Sequence, residues 1–231
     1  MSQRSHPTVD LELPFTGRWL VQMSPARRVP SHGTDLFGSR YAIDFVGVDD
    51  RHRTAPVRDW RTFLGTERPS RFFGFGRPIL APCDGTVVSM LDGEDDHEAR
   101  RSQPALLSYA LSQPSRVRQG IPAIAGNHLT ITDADHHVFV TLVHLRDGSL
   151  RVGIGDTAAV GQPIAECGNS GNSTQPCVHV QATDSPDFST ATAIPIEFRN
   201  YREWPRGRRD SHDHVSGVPA ERSVVEPLPV S

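Results

Sequence analysis

The chain of 231 residues contains no lysine, so all 24 of its basic residues are arginine. This absence excludes Schiff-base chemistry and the lysine-containing phosphate-binding loop of nucleotide hydrolases. It also excludes carrier domains that attach lipoate or biotin to a lysine. The formal net charge of −3 provides no overall field that would attract nucleic acid or an anionic membrane, so we expect neither as a partner.

Cysteine and long apolar segments are also scarce. Three cysteines are an odd number, which argues against a disulfide framework. No apolar run approaches the length of a membrane-spanning helix, so no membrane span is expected. The opening residues, MSQRSHPTVDLELPF, have no apolar segment behind a basic end, which predicts no secretory signal and a cytoplasmic location.

Glycine and proline are abundant, with 19 of each, and they favour turns and short strands over long helices. From residue 126 onward, short apolar segments such as NHLTIT, HVFVTLVHL and CVHVQATD alternate with glycine-containing turns. This rhythm is typical of an all-β protein. The sequence therefore predicts a compact antiparallel β sandwich.

We expect one β domain over residues 13–199. Residues 94–119 are predicted to be a loop or helical insertion within it, because they form the only plausible helical stretch, which Pro104 and Pro114 interrupt. Residues 1–12 are predicted to be a loose N-terminus. Residues 200–231 are predicted to be a disordered tail, because charges and prolines outnumber packing residues there.

Three histidines and one acid lie where strands could bring them together. His32 is in a loop before the strand that carries Asp44, His144 ends an apolar strand, and His179 lies inside the strand CVHVQ. Two imidazoles and a carboxylate suit zinc, and three protein ligands leave a fourth position for a reactive water. Taken alone, a histidine in a strand is more often a hydrogen-bonded structural residue than a metal ligand.

Several motifs follow one another in a recognisable order. SHGTDLFGSRYAIDF and APCDGTVV come first, and GNHLTI, VHL, VGQPIAECGNSGNS and STQPCVHV follow. Over roughly residues 30–90 and 125–185, this order resembles the lysostaphin-type, LytM-like zinc metalloendopeptidases. The resemblance implies a β sandwich of the duplicated hybrid motif (barrel-sandwich) type, Zn²⁺ as cofactor, and hydrolysis of peptide bonds in bacterial peptidoglycan by metal-activated water. Members of this family are usually exported.

By position, the resemblance implies that His32, Asp44 and His179 are metal ligands and that His144 is catalytic. The gap between His32 and Asp44 is longer than the family's H-x-x-x-D, which leaves Asp35 as an alternative ligand. We prefer Asp44 because it lies in the strand AIDF, where the family's aspartate lies, whereas Asp35 lies in the turn-like GTD.

A second departure from the family pattern is Cys177, which occupies the first histidine position of the H-x-H motif. By position Cys177 is a catalytic candidate, because residues 177 and 179 face the same side of a strand. A thiol is a poorer proton donor than an imidazole, so activity could fall by about 10²–10⁴. Alternatively, a bound metal could draw Cys177 in as a fourth, thiolate ligand and close the site.

Three hypotheses follow. The first is a zinc endopeptidase that cuts cell-wall peptides. The second is a catalytically weakened or inactive member that acts as a binding or regulatory module, with the cysteine at position 177 as the mark of loss. The third is a phosphotransfer or carrier domain of related shape, against which the absence of lysine and the presence of Asp44 both argue.

Overall fold

The computed structural model describes residues 8–57, 60–102, 124–133 and 138–229. The predicted all-β class is confirmed, since strands dominate these residues. Three short helical segments are described: α1 (Trp60–Leu64) and 3-10 turns at Leu36–Gly38 and Pro69–Arg71. The strands are β1 (Val9–Glu12), β2 (Trp19–Met23), β3 (Ile43–Gly47), β4 (Pro78–Leu80), β5 (Gly85–Leu91), β6 (Asn127–Asp133), β7 (Phe139–Leu145), β8 (Thr157–Ala158), β9 (Pro163–Glu166), β10 (Val178–Thr183), β11 (Ala193–Ile194), β12 (Ile196–Trp204), β13 (His212–Gly217) and β14 (Val224–Pro227).

Within the described residues, twelve strands form one large sheet and two form a small one. The large sheet runs in the order β1-β12-β14-β2-β3-β10-β7-β6-β5-β8, with β11 beside β10 and β13 beside β12, and β4 pairs with β9 in the second sheet. The expected antiparallel arrangement holds except at β1 and β12, which are parallel. A short hairpin turn can join only antiparallel strands. Because β1 and β12 are far apart in the chain, no hairpin joins them and they can be parallel.

Strict alternation along the central strands separates a core face from a polar face. In β10, Val178, Val180 and Ala182 are buried in the main hydrophobic cluster. In β3, Ile43 and Phe45 are fully buried in the same cluster. Since side chains of a strand point alternately to opposite faces, the residues between them face away from this core. The polar face of β3 and β10 is therefore free to carry a functional site.

The predicted loose N-terminus and disordered tail are wrong for the described residues of both segments. Residues 9–12 form β1, and residues after 199 complete β12 and form β13 and β14. The composition of the C-terminal segment is misleading because its charges lie mainly on exposed faces. A few apolar side chains are nevertheless buried: Tyr201, Val224 and Val225. The large sheet thus extends beyond the expected 13–199 boundaries at both ends.

Replacing Tyr201 by alanine is expected to lower the free energy of unfolding by about 3–5 kcal/mol, the usual cost of removing a buried aromatic ring. Tyr201 is 1% exposed and belongs to the main core cluster. Denaturant unfolding followed by circular dichroism measures the change. Val215→Ala is the matched control, since Val215 in neighbouring β13 is 84% exposed and its loss should cost less than about 0.5 kcal/mol. Equal effects of the two substitutions would show that the tail does not belong to the core.

The predicted insertion at 94–119 is only partly described. Residues 94–102 are irregular rather than helical, and Ala99 exchanges backbone hydrogen bonds with Glu67 in an isolated bridge. Bidentate pairing of buried Glu67 with Arg101 holds this segment against the loop before β4. Residues 103–119 lie outside the described residues. Among the described helices, none is long and apolar enough to cross a membrane.

Candidate metal centre

Sheet register places two of the predicted ligands opposite each other. β3 and β10 are antiparallel neighbours, and Asp44 pairs directly with His179. Directly opposed residues on one face of an antiparallel pair have Cβ atoms about 4.5–5.5 Å apart. The loop before β3 supplies His32, and a backbone hydrogen bond of 2.9 Å from Ser31 N to Arg40 O closes that loop. Residues 135 positions apart in the chain are thus brought into contact.

The three side chains converge through their polar atoms. Asp44 Oδ2 lies 3.1 Å from His32 Nε2, and Asp44 Oδ1 lies 2.9 Å from His179 Nδ1. One potential ligand atom from each residue can be chosen so that all three lie within 4.8 Å of one another. The structure therefore brings together His32, Asp44 and His179 in an arrangement that could hold a metal ion. Their role as ligands stays a prediction.

The electrostatics of this cluster favour a charged carboxylate. Burial alone would raise the pKa of Asp44, but the charge of His32 and the hydrogen bonds from His179 and His32 hold that pKa well below its usual value. Burial would lower the pKa of His32, and the charge and hydrogen bond of Asp44 outweigh it, so the pKa of His32 is raised. The cluster thus offers a negative centre between two imidazoles, which is the charge that a divalent cation needs.

The second nitrogen of His179 is held by Gln181, two residues further along β10. Gln181 Nε2 donates to the carbonyl oxygen of Phe37 at 2.8 Å, which directs Gln181 Oε1 toward His179 Nε2 at 2.9 Å. Because an amide oxygen only accepts hydrogen bonds, Nε2 of His179 must carry the proton. Nδ1, which donates to Asp44 Oδ1 in this structure, is therefore the nitrogen that can release its proton and bind a metal.

His32 has a matching outer partner. Ser31 Oγ donates to the carbonyl oxygen of Ser39 at 3.3 Å, and His32 Nδ1 lies 2.9 Å from the same Oγ. A serine hydroxyl has a single proton, so Oγ accepts from Nδ1, and Nε2, which donates to Asp44 Oδ2, is the nitrogen that can release its proton to a metal. Both imidazoles are therefore oriented so that the nitrogen facing Asp44 becomes available to a metal when it loses its proton.

Sequence reasoning missed Gln181 and Ser31. A signal for Gln181 was available, since positions 177, 179 and 181 share one face of a strand. No comparable signal existed for Ser31, whose function depends on the fold of the loop that His32 begins.

Replacing Gln181 by leucine is expected to lower the affinity for Zn²⁺ by about 10–100-fold, the usual effect of removing the partner of a metal-binding histidine. Leucine keeps most of the volume but cannot accept the His179 proton. Chelator competition at constant pH measures the affinity. Gln181→Glu is the comparison, because a carboxylate accepts the same hydrogen bond but cannot donate to Phe37 O, so it should bind Zn²⁺ more tightly than Gln181→Leu. Unchanged affinity in Gln181→Leu would rule out this positioning role.

His144 lines the same cavity as the cluster, and its ring centroid lies 6.0 Å from that of His179. His144 Nδ1 donates to the carbonyl oxygen of Ser170 at 3.0 Å, so Nε2 is the nitrogen without a proton in the neutral ring. Burial, followed by the charge of His179, lowers the pKa of His144 to about 3. At neutral pH His144 is therefore an uncharged base beside the candidate metal centre.

Cys177 also lines this cavity but stands apart from the cluster. Across the described residues, the group with ligand atoms within 4.8 Å of one another contains His32, Asp44 and His179 and does not contain Cys177. The Cys177 sulfur lies 3.2 Å from Ser173 Oγ. Burial, and then the charge of Asp44, raises the pKa of the thiol. The position of Cys177 outside the ligand cluster argues against Cys177 as a fourth ligand.

The alternative ligand, Asp35, lies elsewhere. Both of its carboxylate oxygens are 2.8 Å from Nη1 of Arg40, and the side chain is 60% exposed. A carboxylate that is exposed and already paired with a guanidinium is a poor candidate for a metal ligand. The geometry therefore favours Asp44, in keeping with its place in the strand.

The cavity around the cluster has a volume of about 400 Å³. Apolar side chains form part of its wall beside the cluster and other polar residues. This apolar wall includes Leu36, Phe37, Ala125, Val143 and Phe188. A concave apolar pocket with a few convergent polar groups is the usual form of a small-molecule or peptide site.

No protein-family model matches the chain, and no curated protein matches it. Several solved structures are similar to it, however. A mutant catalytic domain of EnpA, a prophage-encoded M23 protein from Enterococcus faecalis, is 17% identical over 77% of this chain and 88% of its own, with a TM-score of 0.42. The catalytic domain of lysostaphin from Staphylococcus simulans has the same identity and coverage and a TM-score of 0.39.

A zinc-containing peptidase from Vibrio cholerae is 17% identical over 61% of this chain and 46% of its own, with a TM-score of 0.33. Likeness this distant does not define a reaction.

Proposed function

We propose that this protein is a zinc-dependent endopeptidase that hydrolyses peptide bonds of bacterial cell-wall peptidoglycan. The observation that carries the proposal is the convergence of two oriented imidazoles and one carboxylate, with ligand atoms within 4.8 Å, beside a neutral buried histidine. Structural zinc sites are closed by four protein ligands, whereas catalytic sites use three and keep one position open. The similarity of the motifs to lysostaphin-type peptidases supports the same assignment.

His32, Asp44 and His179 would hold the ion. When bound, zinc supplies the positive charge that acidifies a water molecule and polarises a peptide carbonyl. The donor set of two nitrogens and one oxygen fits a borderline cation better than calcium or magnesium, which prefer oxygen ligands alone. Gln181 and Ser31 keep the two imidazoles turned toward the ion site.

His144 would handle the proton during peptide hydrolysis. Its Nδ1 is held by the carbonyl oxygen of Ser170, so Nε2 is free to accept a proton and later to donate it to the leaving amine. The low pKa of the buried ring keeps Nε2 unprotonated before the reaction begins. A single general base of this kind contributes about 10²–10⁴ to the rate.

A second candidate function is supported by Cys177. A buried thiol with a raised pKa neither donates a proton readily nor carries the charge that an imidazolium would bring to a developing oxyanion. The protein could therefore bind metal and wall peptide while turning over slowly, as a binding or regulatory module. Bound zinc with no hydrolysis would favour this module over the enzyme.

Metal analysis and hydrolysis assays test the proposal together. We expect about one zinc per chain after gentle purification, and release of new amino groups from purified peptidoglycan or glycine-rich peptides. His144→Ala should keep the zinc and lower the rate of hydrolysis, because His144 handles a proton rather than binding metal. Absence of stoichiometric zinc would contradict both the enzyme and the module, and a full rate in His144→Ala would contradict the assigned proton transfer.

A further inference from the structure

A second cavity of about 680 Å³ adjoins the metal centre. Gln22 and Met23 at the end of β2 line both cavities, so the two cavities are direct neighbours. The far wall of the second cavity comes from β14 and from the turn that follows β12. The C-terminal segments that extend the sheet thus contribute part of this cavity, which we call the arginine groove.

The arginine groove concentrates positive charge in a protein whose net charge is −3. Five arginines and one acid line it among the described residues: Arg27, Arg28, Arg206, Arg208, Arg222 and Glu221. Glu221 is bonded to Arg27, and its Oε1 lies 3.9 Å from Arg222 Nε, so a single carboxylate is shared by two guanidiniums. Concave surfaces that carry one sign of charge focus the field and attract the opposite charge.

The arginine groove reaches the metal centre on two sides. Arg28 Nε donates to the carbonyl oxygen of Ser31 at 3.4 Å, which places its guanidinium beside the loop that holds His32. Gln175 Nε2 donates to Gln22 Oε1 at 3.0 Å where the cavities meet. Gln175 Oε1 is buried and has no hydrogen-bond partner among the described residues.

We propose that the arginine groove binds a carboxylate-bearing part of the peptide substrate, so that the protein selects peptides with a free carboxylate beside the bond held at the metal centre. The inference rests on the proposed function for its substrate class. Arginine forms bidentate hydrogen bonds with carboxylates, and Arg206 and Arg208 are exposed at the rim. Trp204 adds an apolar wall on which the stem of an acidic side chain can pack.

Binding of matched peptides tests this selectivity. The full chain carrying His144→Ala, which prevents turnover, is titrated with a glutamate-containing peptide and with the same peptide in which every carboxylate is an amide. We expect tighter binding of the carboxylate peptide and a smaller difference at high salt, because exposed charges are screened. Arg206→Ala combined with Arg208→Ala should weaken binding of the carboxylate peptide by about 2–30-fold and leave the amidated peptide unchanged.

Arg151→Ala combined with Arg199→Ala is the matched control, because both arginines are exposed and lie outside the lining of the groove. Titration with polyphosphate distinguishes a carboxylate ligand from a phosphate ligand. If polyphosphate binds more tightly than the carboxylate peptide, and the Arg206→Ala, Arg208→Ala variant loses this binding, the proposal is overturned in favour of a phosphate polymer. Equal affinity for the two peptides would also overturn it. Selective binding of the carboxylate peptide without any hydrolysis would contradict the proposed endopeptidase function but not carboxylate binding by the arginine groove. Equal hydrolysis of both peptides would contradict only the selection by the arginine groove.

Discussion

Asp44→Asn is expected to lower the affinity for Zn²⁺ by on the order of 10²–10³-fold and to reduce hydrolysis to background. Zinc sites with four ligands bind with about 10–16 kcal/mol, so one ligand is worth about 3–4 kcal/mol. Asparagine keeps the shape of the side chain but removes the charge that lies between His32 Nε2 and His179 Nδ1. Chelator competition measures the affinity, and circular dichroism checks that the sheet is retained.

Asp35→Asn is the paired control for this experiment. Asp35 is exposed and occupied by Arg40, so its substitution should change zinc affinity by less than about twofold, as expected for a surface ion pair. The two variants carry the same chemical change at positions nine residues apart. Loss of zinc from Asp35→Asn with retention in Asp44→Asn would reverse the choice of carboxylate that both the strand pattern and the geometry favour.

The sequence predicted the candidate site best in β3 and β10, where apolar and polar residues alternate with the two-residue period of a strand. Val178 and Val180 alternate with His179, and Ile43 and Phe45 alternate with Asp44, so the polar face of each strand could be predicted. The direct pairing of Asp44 with His179 could not be derived from these patterns, because register between distant strands depends on the whole sheet. The resemblance to the peptidase motifs, rather than the alternation, predicted that Asp44 and His179 belong to one site.

The C-terminal segment shows the opposite case. Its edge strand β13 exposes most of its residues, and Arg202 pairs with Asp213 across the β12–β13 ladder. Composition averages over both faces of such strands, so a half-exposed pair of strands resembles a disordered segment. The arginine groove could not be predicted for the same reason, because two of its arginines, Arg206 and Arg208, belong to the turn between these strands.

Cys177→His is expected to raise the rate of peptide hydrolysis by about 10²–10⁴, the usual contribution of one general acid or base. The new imidazole would lie on the same strand face as His179, with the Ser173 hydroxyl as a partner already in place. Unlike the buried thiol, whose pKa is raised, an imidazole can donate a proton and stabilise developing negative charge near neutral pH. Steady-state kinetics on glycine-rich peptides, with zinc content measured in parallel, gives the comparison.

Two further variants separate the possible functions of the cysteine. Cys177→Ala should leave both zinc content and the slow rate nearly unchanged, because a neutral thiol outside the ligand cluster contributes to neither. Zinc loss from Cys177→Ala would instead identify Cys177 as a fourth ligand. If the two histidines share the proton, the gain from Cys177→His should shrink in the His144→Ala background, as a double-mutant cycle reports for coupled residues. A fast parent enzyme that Cys177→His slows would show that the cysteine itself serves the reaction.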